Sequence, residues 1–270
     1  MILVENKRID DIPLLHLIHE GKEHHKLPFV MFVHGFGSVK EKNLHYAYLL
    51  AKKGFRVVLP EALFHGEREA GLNEHELEFH FWEIVLNTIK ELKMIKEHFE
   101  REDKIDTERI GVAGTSMGGL VTLGALTAYP WIKAAVSLMG MPYYEKFANH
   151  QIEELKKSGA RLPISEEELQ NLMDHIKQYD LSRQPEKLDG RPLLFWHGKN
   201  DKVVPYSYTY QFYKTIKPLY EKHPEKLQFI TDEKADHKVS LEGVFGLVDW
   251  FEKYISLSNV TYVTPMKECK

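Results

Sequence analysis

A serine lies between two glycines in the run Gly114-Thr115-Ser116-Met117-Gly118, where an apolar strand pattern gives way to a helical one. A serine hydroxyl can attack a carbonyl carbon only if it stands clear of its own backbone, and a sharp strand-to-helix turn holds it in that position. Side chains two positions before and after such a serine would collide, whereas Gly114 and Gly118 avoid the collision. The pattern therefore predicts that Ser116 is a nucleophile at the tip of a tight turn.

The same run could instead form a glycine-rich turn that only packs a helix against a sheet. The two interpretations differ in what they require elsewhere. A nucleophilic serine needs a base, an acid that orients the base, and hydrogen-bond donors for the negative oxygen of the intermediate. A serine turn of this kind resembles that of the α/β-type hydrolases, in which the acid and then the base follow the serine along the chain.

Candidates for the acid and the base follow Ser116 in that order. Asp201 comes just after the apolar run 192–198, at the carboxyl end of a predicted strand, where ligands gather in open α/β sheets. His237 comes after another short strand pattern at residues 227–230, and no histidine follows it in the sequence. A loop histidine is more often a solvated surface residue, but its position between the last predicted strand and the last predicted helix favours His237 as the base.

A glycine-containing loop upstream offers donors for the oxyanion. The apolar run 29–33 is typical of a strand buried on both faces of a parallel sheet, and it leads into His34-Gly35-Phe36-Gly37-Ser38. The glycines allow this loop to curl so that the N–H of Phe36 points at the substrate, with the N–H of Met117 as the second donor. An ordinary strand-ending turn is the alternative.

These residues resemble the α/β-hydrolase superfamily, and most closely the small single-domain bacterial carboxylesterases related to prolyl oligopeptidase and dienelactone hydrolase. The resemblance extends over nearly the whole chain. Its matching segments are His34-Gly35-Phe36-Gly37, Gly54-Phe55-Arg56-Val57-Val58-Leu59-Pro60, His65-Gly66-Glu67-Arg68, Gly114-Thr115-Ser116-Met117-Gly118-Gly119, His197-Gly198-Lys199-Asn200-Asp201-Lys202-Val203-Val204-Pro205 and Asp236-His237. The resemblance implies that Ser116, Asp201 and His237 are nucleophile, acid and base, and that Phe36 and Met117 are the oxyanion donors.

Two departures from these relatives narrow the expected activity. The dienelactone hydrolase branch uses cysteine where this chain has Ser116, and the prolyl oligopeptidase branch carries an amino-terminal propeller too large for 270 residues. We therefore expect hydrolysis of small carboxylic esters through an acyl-enzyme, without a cofactor, rather than peptide cleavage. Thioesterase, amidase or lactonase activity on the same triad is an alternative, as is a receptor of this fold that binds a small ligand without turnover.

The elements that must position these groups alternate between strands and helices. Strand patterns follow an antiparallel pair within residues 2–19, and they lie near residues 29–34, 55–60, 109–115, 132–139, 192–197 and 227–231. A long helix with a sheet-facing apolar stripe is predicted from Leu77, Phe81, Ile84, Thr88, Leu92, Ile95 and Phe99. The sequence thus predicts an α/β-hydrolase fold, with about eight mostly parallel strands flanked by helices.

Residues 141–190 interrupt this alternation with a charged, helical segment where a short connection would suffice. We predict a helical cap at 141–190, inserted into a core formed by residues 1–140 and 191–270. Pro142 and Pro163 punctuate the segment. Ser165 and Glu168 form a capping box before a stripe that needs a surface to cover, consisting of Leu169, Leu172, Met173, Ile176 and Tyr179.

Six residues are candidates for the substrate pocket. The predicted cap contributes three aromatic candidates, which either line the pocket or only anchor the insertion: Tyr143, Tyr144 and Phe147. His65 and Arg68 either line the rim or hold their own loop by hydrogen bonds. Val204, beside the predicted acid, is the sixth candidate.

Composition agrees with a soluble enzyme, and the resemblance implies a small-molecule ester as its substrate. A formal net charge of −4 provides no basic surface for nucleic acid. The uncharged run 110–132 is long enough to cross a bilayer, but it contains five glycines and Pro130, so we expect a sheet element and no membrane contact. The single cysteine, Cys269, cannot form an internal disulfide, and charges at residues 5, 7, 8 and 10 make a secretory signal unlikely, so we expect a cytoplasmic protein. The oligomeric state is left open.

The histidine pair His75 and His80 superficially resembles a zinc-binding helix motif. That motif requires two histidines four residues apart on one helix face, whereas these two are five apart. The sequence therefore predicts no catalytic metal there.

Overall fold

One mixed sheet organises the chain, whose computed structural model describes residues 1–157 and 164–257. The strands are β1 (Ile2–Ile9), β2 (Ile12–His19), β3 (Leu27–Val33), β4 (Arg56–Pro60), β5 (Ile105–Thr115), β6 (Ala134–Leu138), β7 (Leu193–Gly198) and β8 (Leu227–Asp232). They lie in the order β1-β2-β4-β3-β5-β6-β7-β8. β2 is antiparallel to both β1 and β4, and all other neighbours are parallel. The prediction of about eight mostly parallel strands is confirmed.

Helices cover both faces of this sheet. They are α1 (Leu44–Lys52), α2 (Glu74–Phe79), α3 (Phe81–Arg101), α4 (Met117–Ala128), α5 (Tyr144–Lys157), α6 (Glu166–Gln178), α7 (Tyr206–Ile216) and α8 (Leu241–Ile255). Successive strand side chains point to opposite faces, so Met31 packs with α3 and α4 while its neighbours Val30 and Phe32 pack with α1 and α8. This two-sided burial explains why the central strands are apolar throughout.

The predicted long helix is two helices. α2 ends at Phe79, and the next residue, His80, adopts φ −88° and ψ 3° and donates its N–H to the carbonyl of Leu77. α3 then begins at Phe81, and its residues from Ile84 to Phe99 form the predicted buried stripe. Leu77 lies on the separate helix α2, so the prediction of one continuous helix is wrong. Leu77 and Phe81 are both half-buried and pack against the same core as the rest of the stripe. Apolar residues keep their helical spacing on both sides of the turn, so the sequence pattern does not reveal that the helix is interrupted there.

The carboxyl ends of the parallel strands gather at one edge of the sheet. Register pairs Val33 of β3 with Gly114 of β5, and Thr115 of β5 with Leu138 of β6. At the far side of the same edge, Gly198 of β7 pairs with Asp232 of β8. The loops that follow these strands therefore meet, and they are the loops that carry the predicted chemistry.

The uncharged run 110–132 is divided among β5, the turn at Ser116 and α4. In the part of the chain that the structure describes, every helix is too short or too polar to cross a bilayer.

A buried polar cluster joins β1, β2 and β4. Nη1 of Arg56, a fully buried residue, donates to Nε2 of His16 at 2.8 Å, and Nδ1 of His16 lies 2.7 Å from the Glu5 carboxylate. Arginine can only donate, so the His16 ring accepts at Nε2 and donates at Nδ1, which is the neutral form. Burial lowers the pKa of His16 to about 4, against the hydrogen bond to Glu5, which acts to raise it.

This cluster predicts a pH-dependent stability. The free energy of unfolding is expected to fall by about 2 to 4 kcal/mol as the pH drops from about 6.5 to about 4, because His16 then binds a proton only in the unfolded chain. Urea denaturation at about pH 7 and about pH 4 measures this fall. The control variant His16→Gln keeps one donor and one acceptor but does not titrate. An equally large fall in that variant would contradict the assignment to His16.

Candidate active site

Ser116 lies at the turn between β5 and α4 with φ 53° and ψ −115°. A positive φ is unfavourable for a side chain with a Cβ and persists only where the surroundings enforce it. The N–H of Ser116 donates to the carbonyl of Leu138 in β6 at 2.9 Å, which ties the turn to the sheet.

The two flanking glycines are required by close backbone contacts. A Cβ added at Gly114 would lie 2.4 Å from the backbone of Gly118, and one added at Gly118 would lie 2.0 Å from the carbonyl oxygen of Val33. Both distances are far below van der Waals contact. The steric reason for Gly114 and Gly118 that the sequence analysis gave therefore holds in the structure.

A hydrogen-bond chain connects the three predicted residues. Nε2 of His237 lies 2.9 Å from Oγ of Ser116, and Nδ1 of His237 lies 2.8 Å from Oδ2 of Asp201. A carboxylate only accepts, so Nδ1 carries the proton and Nε2 is free to accept one from the serine hydroxyl. The structure thus brings together Ser116, Asp201 and His237 from three separate loops.

Asp201 is buried and fully hydrogen-bonded. Its Oδ1 accepts the N–H groups of Val203 and Val204, both at 2.9 Å, while Oδ2 faces His237 and Nε2 of His197, the latter at 3.2 Å. Burial acts to raise the pKa of Asp201, but hydrogen bonds from His197, His237 and Val204 outweigh it and hold this pKa well below its ordinary value. The carboxylate is therefore an anion beside His237.

His197 is a neighbour of the acid that the sequence analysis did not assign to the site. Its ring is fully buried at the end of β7, and Nε2 also lies 2.8 Å from the carbonyl of Val204. Two acceptors around Nε2 place the proton there. A histidine inside an otherwise apolar strand run, four residues before Asp201, is the sequence signal that could have indicated it.

Two other aspartates, Asp232 and Asp236, lie close to His237 in the sequence. Oδ1 of Asp232 accepts the N–H groups of Lys234 and Ala235, at 3.0 and 2.9 Å, and so shapes the loop that carries the histidine. Asp236 is exposed.

The loop after β3 lies against the same edge of the sheet. The N–H of Gly37 donates to Nε2 of His65 at 2.9 Å, and Nδ1 of His65 donates to the carbonyl of Leu63 at 2.8 Å. The His65 ring also packs edge-on against the ring of Phe36, with centroids 5.5 Å apart. His65 therefore fixes the backbone on the carboxyl side of Phe36.

Met117 is the first residue of α4. The N–H groups of the first helical turn have no partner within the helix, and the helix dipole makes this end favourable for negative charge. Met117 and Phe36 both line the cavity into which Ser116 opens.

A buried ion pair connects the segment after β3 to the residue that follows β4. Nζ of Lys40 lies 2.9 Å from Oε2 of Glu61, and the N–H of Lys40 donates to Oε1 of the same carboxylate at 3.1 Å. Both side chains are almost completely buried. Nζ of Lys40 also lies 2.6 Å from Glu67 and 2.9 Å from Glu41, so separating the pair would leave Glu61 without its ammonium counter-charge.

A cavity of about 610 Å³ opens beside Ser116. α2 and α3 form one wall and α5 and α6 another, with the first turns of α4 between them. Its lining residues include Phe36, Phe79, Phe81, Trp82, Met117, Leu120, Phe147, Ile152, Leu169, Leu172, Met173, Ile176 and Val204. This volume lies within the range of small-molecule sites, roughly 300 to 1,000 Å³.

Comparison with known proteins assigns the family. A model of the prolyl oligopeptidase family matches residues 42–257. The chain belongs to this family.

Several individual proteins are also similar to this chain. Over 255 residues the chain is 56% identical to "Putative esterase YitV" of Bacillus subtilis (strain 168), with 94% of this chain and 100% of that protein covered. Over 205 residues it is 33% identical to "Esterase YjfP" of Escherichia coli (strain K12), with 76% and 81% covered. The crystal structure of TT1662 from Thermus thermophilus superimposes with a TM-score of 0.73 at 19% identity, covering 95% of this chain and 99% of that one. The α/β-hydrolase fold expected from the sequence is thereby confirmed.

The predicted pocket residues divide into two groups in this prolyl oligopeptidase family member. Phe147 and Val204 line the cavity. Tyr144 does not, and its assignment to the pocket wall is wrong. Its side chain is fully buried, donates from its hydroxyl to the carbonyl of Leu120 and packs against Trp82. Tyr144 anchors α5 on the core, which was the alternative interpretation of the aromatic residues.

The other three candidates do not line the cavity, and their side chains contact other residues of the protein. Tyr143 packs against Tyr208 and Phe212. Arg68 makes a two-pronged ion pair with the Glu91 carboxylate, at 3.0 and 2.8 Å, and also donates to the carbonyl of Glu61. His65 has both ring nitrogens occupied as described above. Arg68 and His65 therefore hold their loop by hydrogen bonds, the second of the two roles considered for them.

The capping box of α6 is present, with the N–H of Glu168 donating to Oγ of Ser165 at 3.2 Å. The predicted stripe of α6 does cover a surface, because Leu169, Leu172, Met173 and Ile176 line the cavity. Pro163 and Cys269 lie outside the described residues. Within residues 1–157 and 164–257, no cluster of three or more histidine, cysteine, aspartate or glutamate side chains is placed to hold a metal ion.

Proposed function

We propose that this protein is a serine carboxylesterase in which Ser116, His237 and Asp201 form the catalytic triad. The hydrogen-bond chain from Asp201 through His237 to Ser116 is the observation that carries the proposal. Membership of the prolyl oligopeptidase family supports serine hydrolase chemistry. The 56% identity to a protein named as an esterase supports an ester as the substrate.

The hydrogen-bond chain supports the following steps of acyl transfer. As Oγ of Ser116 attacks the ester carbonyl, Nε2 of His237 accepts the hydroxyl proton, and Asp201 stabilises the resulting imidazolium. His237 then donates that proton to the departing alcohol, which leaves an acyl group on Ser116. A water molecule, deprotonated by His237, hydrolyses this acyl-enzyme and restores the serine.

The negative oxygen of each tetrahedral intermediate is held by two backbone N–H groups, those of Phe36 and Met117. Fixed donors stabilise this charge without the reorganisation that water would need. The N-terminus of α4 adds its positive dipole at the same point.

Residues 141–190 act as a cap over the core of residues 1–140 and 191–270. α5 and α6 turn their apolar faces towards the cavity beside Ser116. Excluding water from this space strengthens the hydrogen bonds to the oxyanion.

Release of p-nitrophenol from p-nitrophenyl acetate tests the proposed function. We expect steady turnover, preceded by a burst of about one equivalent if deacylation is the slower step. Binding of the ester without any release of p-nitrophenol would contradict catalysis and favour a non-catalytic receptor.

The role of His65 gives a separate prediction. His65→Ala leaves the N–H of Gly37 without its partner and loosens the backbone next to Phe36, so we expect kcat for p-nitrophenyl acetate to fall by about 10- to 100-fold. The matched control is His223→Ala, which removes an exposed histidine between α7 and β8. A folded His65→Ala protein with unchanged kcat would contradict the proposed oxyanion loop.

A further inference from the structure

The buried part of the cavity beside Ser116 is lined mainly by apolar side chains, and the charged side chains lie at its rim. Trp82, Leu120, Met173 and Ile176 line it with less than a tenth of their surface exposed. The charged and titratable lining side chains are exposed, and they are His75, Glu78, His150 and Glu154. Water therefore finds few partners inside, while an apolar group would lose water-exposed surface on entering.

Two amphipathic helices hold this space open. The apolar faces of α5 and α6 point towards the core, but a volume of about 610 Å³ that no described residue fills remains between them and the wall formed by α2 and α3. An unfilled space with apolar walls forfeits packing contacts, so well-packed proteins contain few such spaces. The pair Trp82 and Gln151, hydrogen-bonded at 2.8 Å between α3 and α5, connects the two walls across it.

We propose that this cavity binds the apolar arm of the ester, an alkyl chain of about six to ten carbons or a ring system of similar size. A methylene group is about the size of a water molecule, which occupies roughly 30 Å³ in the liquid. A chain of ten carbons therefore fills roughly half of the cavity. A two-carbon group would leave nearly all of it unfilled. This inference rests on the proposed ester hydrolysis at Ser116 and adds the substrate class.

The arm belongs either to the acyl group or to the alcohol of the ester, and three substrates distinguish the two. Ethyl acetate is the reference, ethyl octanoate extends the acyl side and octyl acetate extends the alcohol side, with acid release followed at constant pH. Each buried methylene contributes up to about fourfold to kcat/KM. We expect at least a 30-fold higher kcat/KM for one of the two longer esters. Values within threefold of ethyl acetate for both would overturn the proposal.

A filling variant tests whether the cavity is the cause of this preference. Leu172→Trp adds an indole to the wall formed by α6, so the preference for the long ester should fall by tenfold or more. Leu219→Trp places the same side chain at a half-exposed site between α7 and β8 and should retain the preference. An unchanged preference in a folded Leu172→Trp protein would place the long arm elsewhere.

Binding without turnover separates failure of this inference from failure of the proposed function. In Ser116→Ala, calorimetry with octanoate and with 1-octanol should detect saturable binding of at least one of them, and Leu172→Trp in the same background should weaken it by tenfold or more. If the unaltered protein hydrolyses ethyl acetate but Ser116→Ala binds neither octanoate nor 1-octanol, the cavity assignment is overturned and the proposed ester hydrolysis is retained. Binding with no hydrolysis of any ester would retain the cavity and contradict the esterase.

Discussion

Ser116→Ala is expected to lower kcat for p-nitrophenyl acetate by about 10⁴- to 10⁶-fold, while the protein stays folded. Residues that act as one catalytic unit lose nearly the whole benefit of the unit when the nucleophile is removed. The Ser116 backbone, held by the carbonyl of Leu138, does not depend on the hydroxyl. Steady-state hydrolysis by the purified variant measures the loss.

The matched control is Ser207→Ala, which removes a hydroxyl from the exposed surface of α7. Its kcat should equal that of the unaltered protein. If Ser116→Ala retained more than about a hundredth of the original kcat, the nucleophile would be another group.

Asp201→Asn is expected to lower kcat by about 10²- to 10⁴-fold. Asparagine retains an oxygen that can accept the N–H groups of Val203 and Val204, so the loop should keep its shape. It removes the negative charge that stabilises protonated His237, and its amide disfavours the tautomer that donates from Nδ1. The fall should appear in kcat more than in KM, because the lost interaction strengthens only when the imidazolium forms.

Asp236→Asn is the matched control, because Asp236 is exposed next to His237 and carries the same charge. It should leave kcat within about twofold. A large loss in Asp236→Asn together with an active Asp201→Asn would mean that the acid had been assigned to the wrong residue.

The turn around Ser116 could be predicted because contacts between residues close together in the sequence determine which residue types it accepts. The glycines around Ser116 are fixed by backbone contacts within a few residues, and those contacts leave a readable pattern. The order of Asp201 and His237 after Ser116 is the one that the resemblance to α/β-hydrolases implies. Parallel strands that end at one edge of the sheet explain why these loops meet. Strand positions were equally accessible, because strands buried on both faces are apolar runs.

The substrate pocket could not be predicted in the same way, because packing between distant segments decides it. Tyr144 and Phe147 are both aromatic residues of α5 three positions apart, yet Tyr144 points into the core and Phe147 lines the cavity. Trp82 belongs to a helix expected to face the sheet, but it forms part of the cavity wall. Only the relative placement of α3 and α5 reveals these roles.

The break at His80 and the role of His197 illustrate the same limit. Helical periodicity runs through the turn between α2 and α3, so the sequence indicates one helix. His197 is hidden in a strand pattern, and its contact with Asp201 depends on the turn after β7. Single side chains that complete a site from within a regular element leave a weak sequence signal.

Covalent labelling tests the central claim, that Ser116 is the nucleophile, most directly. The unaltered protein is treated with a fluorophosphonate, digested and analysed by peptide mass spectrometry. We predict one phosphonyl group per chain, located on Ser116 and formed with loss of esterase activity in parallel. A protein that hydrolyses esters but carries the adduct on another residue, or stays active with Ser116 fully modified, would contradict this claim.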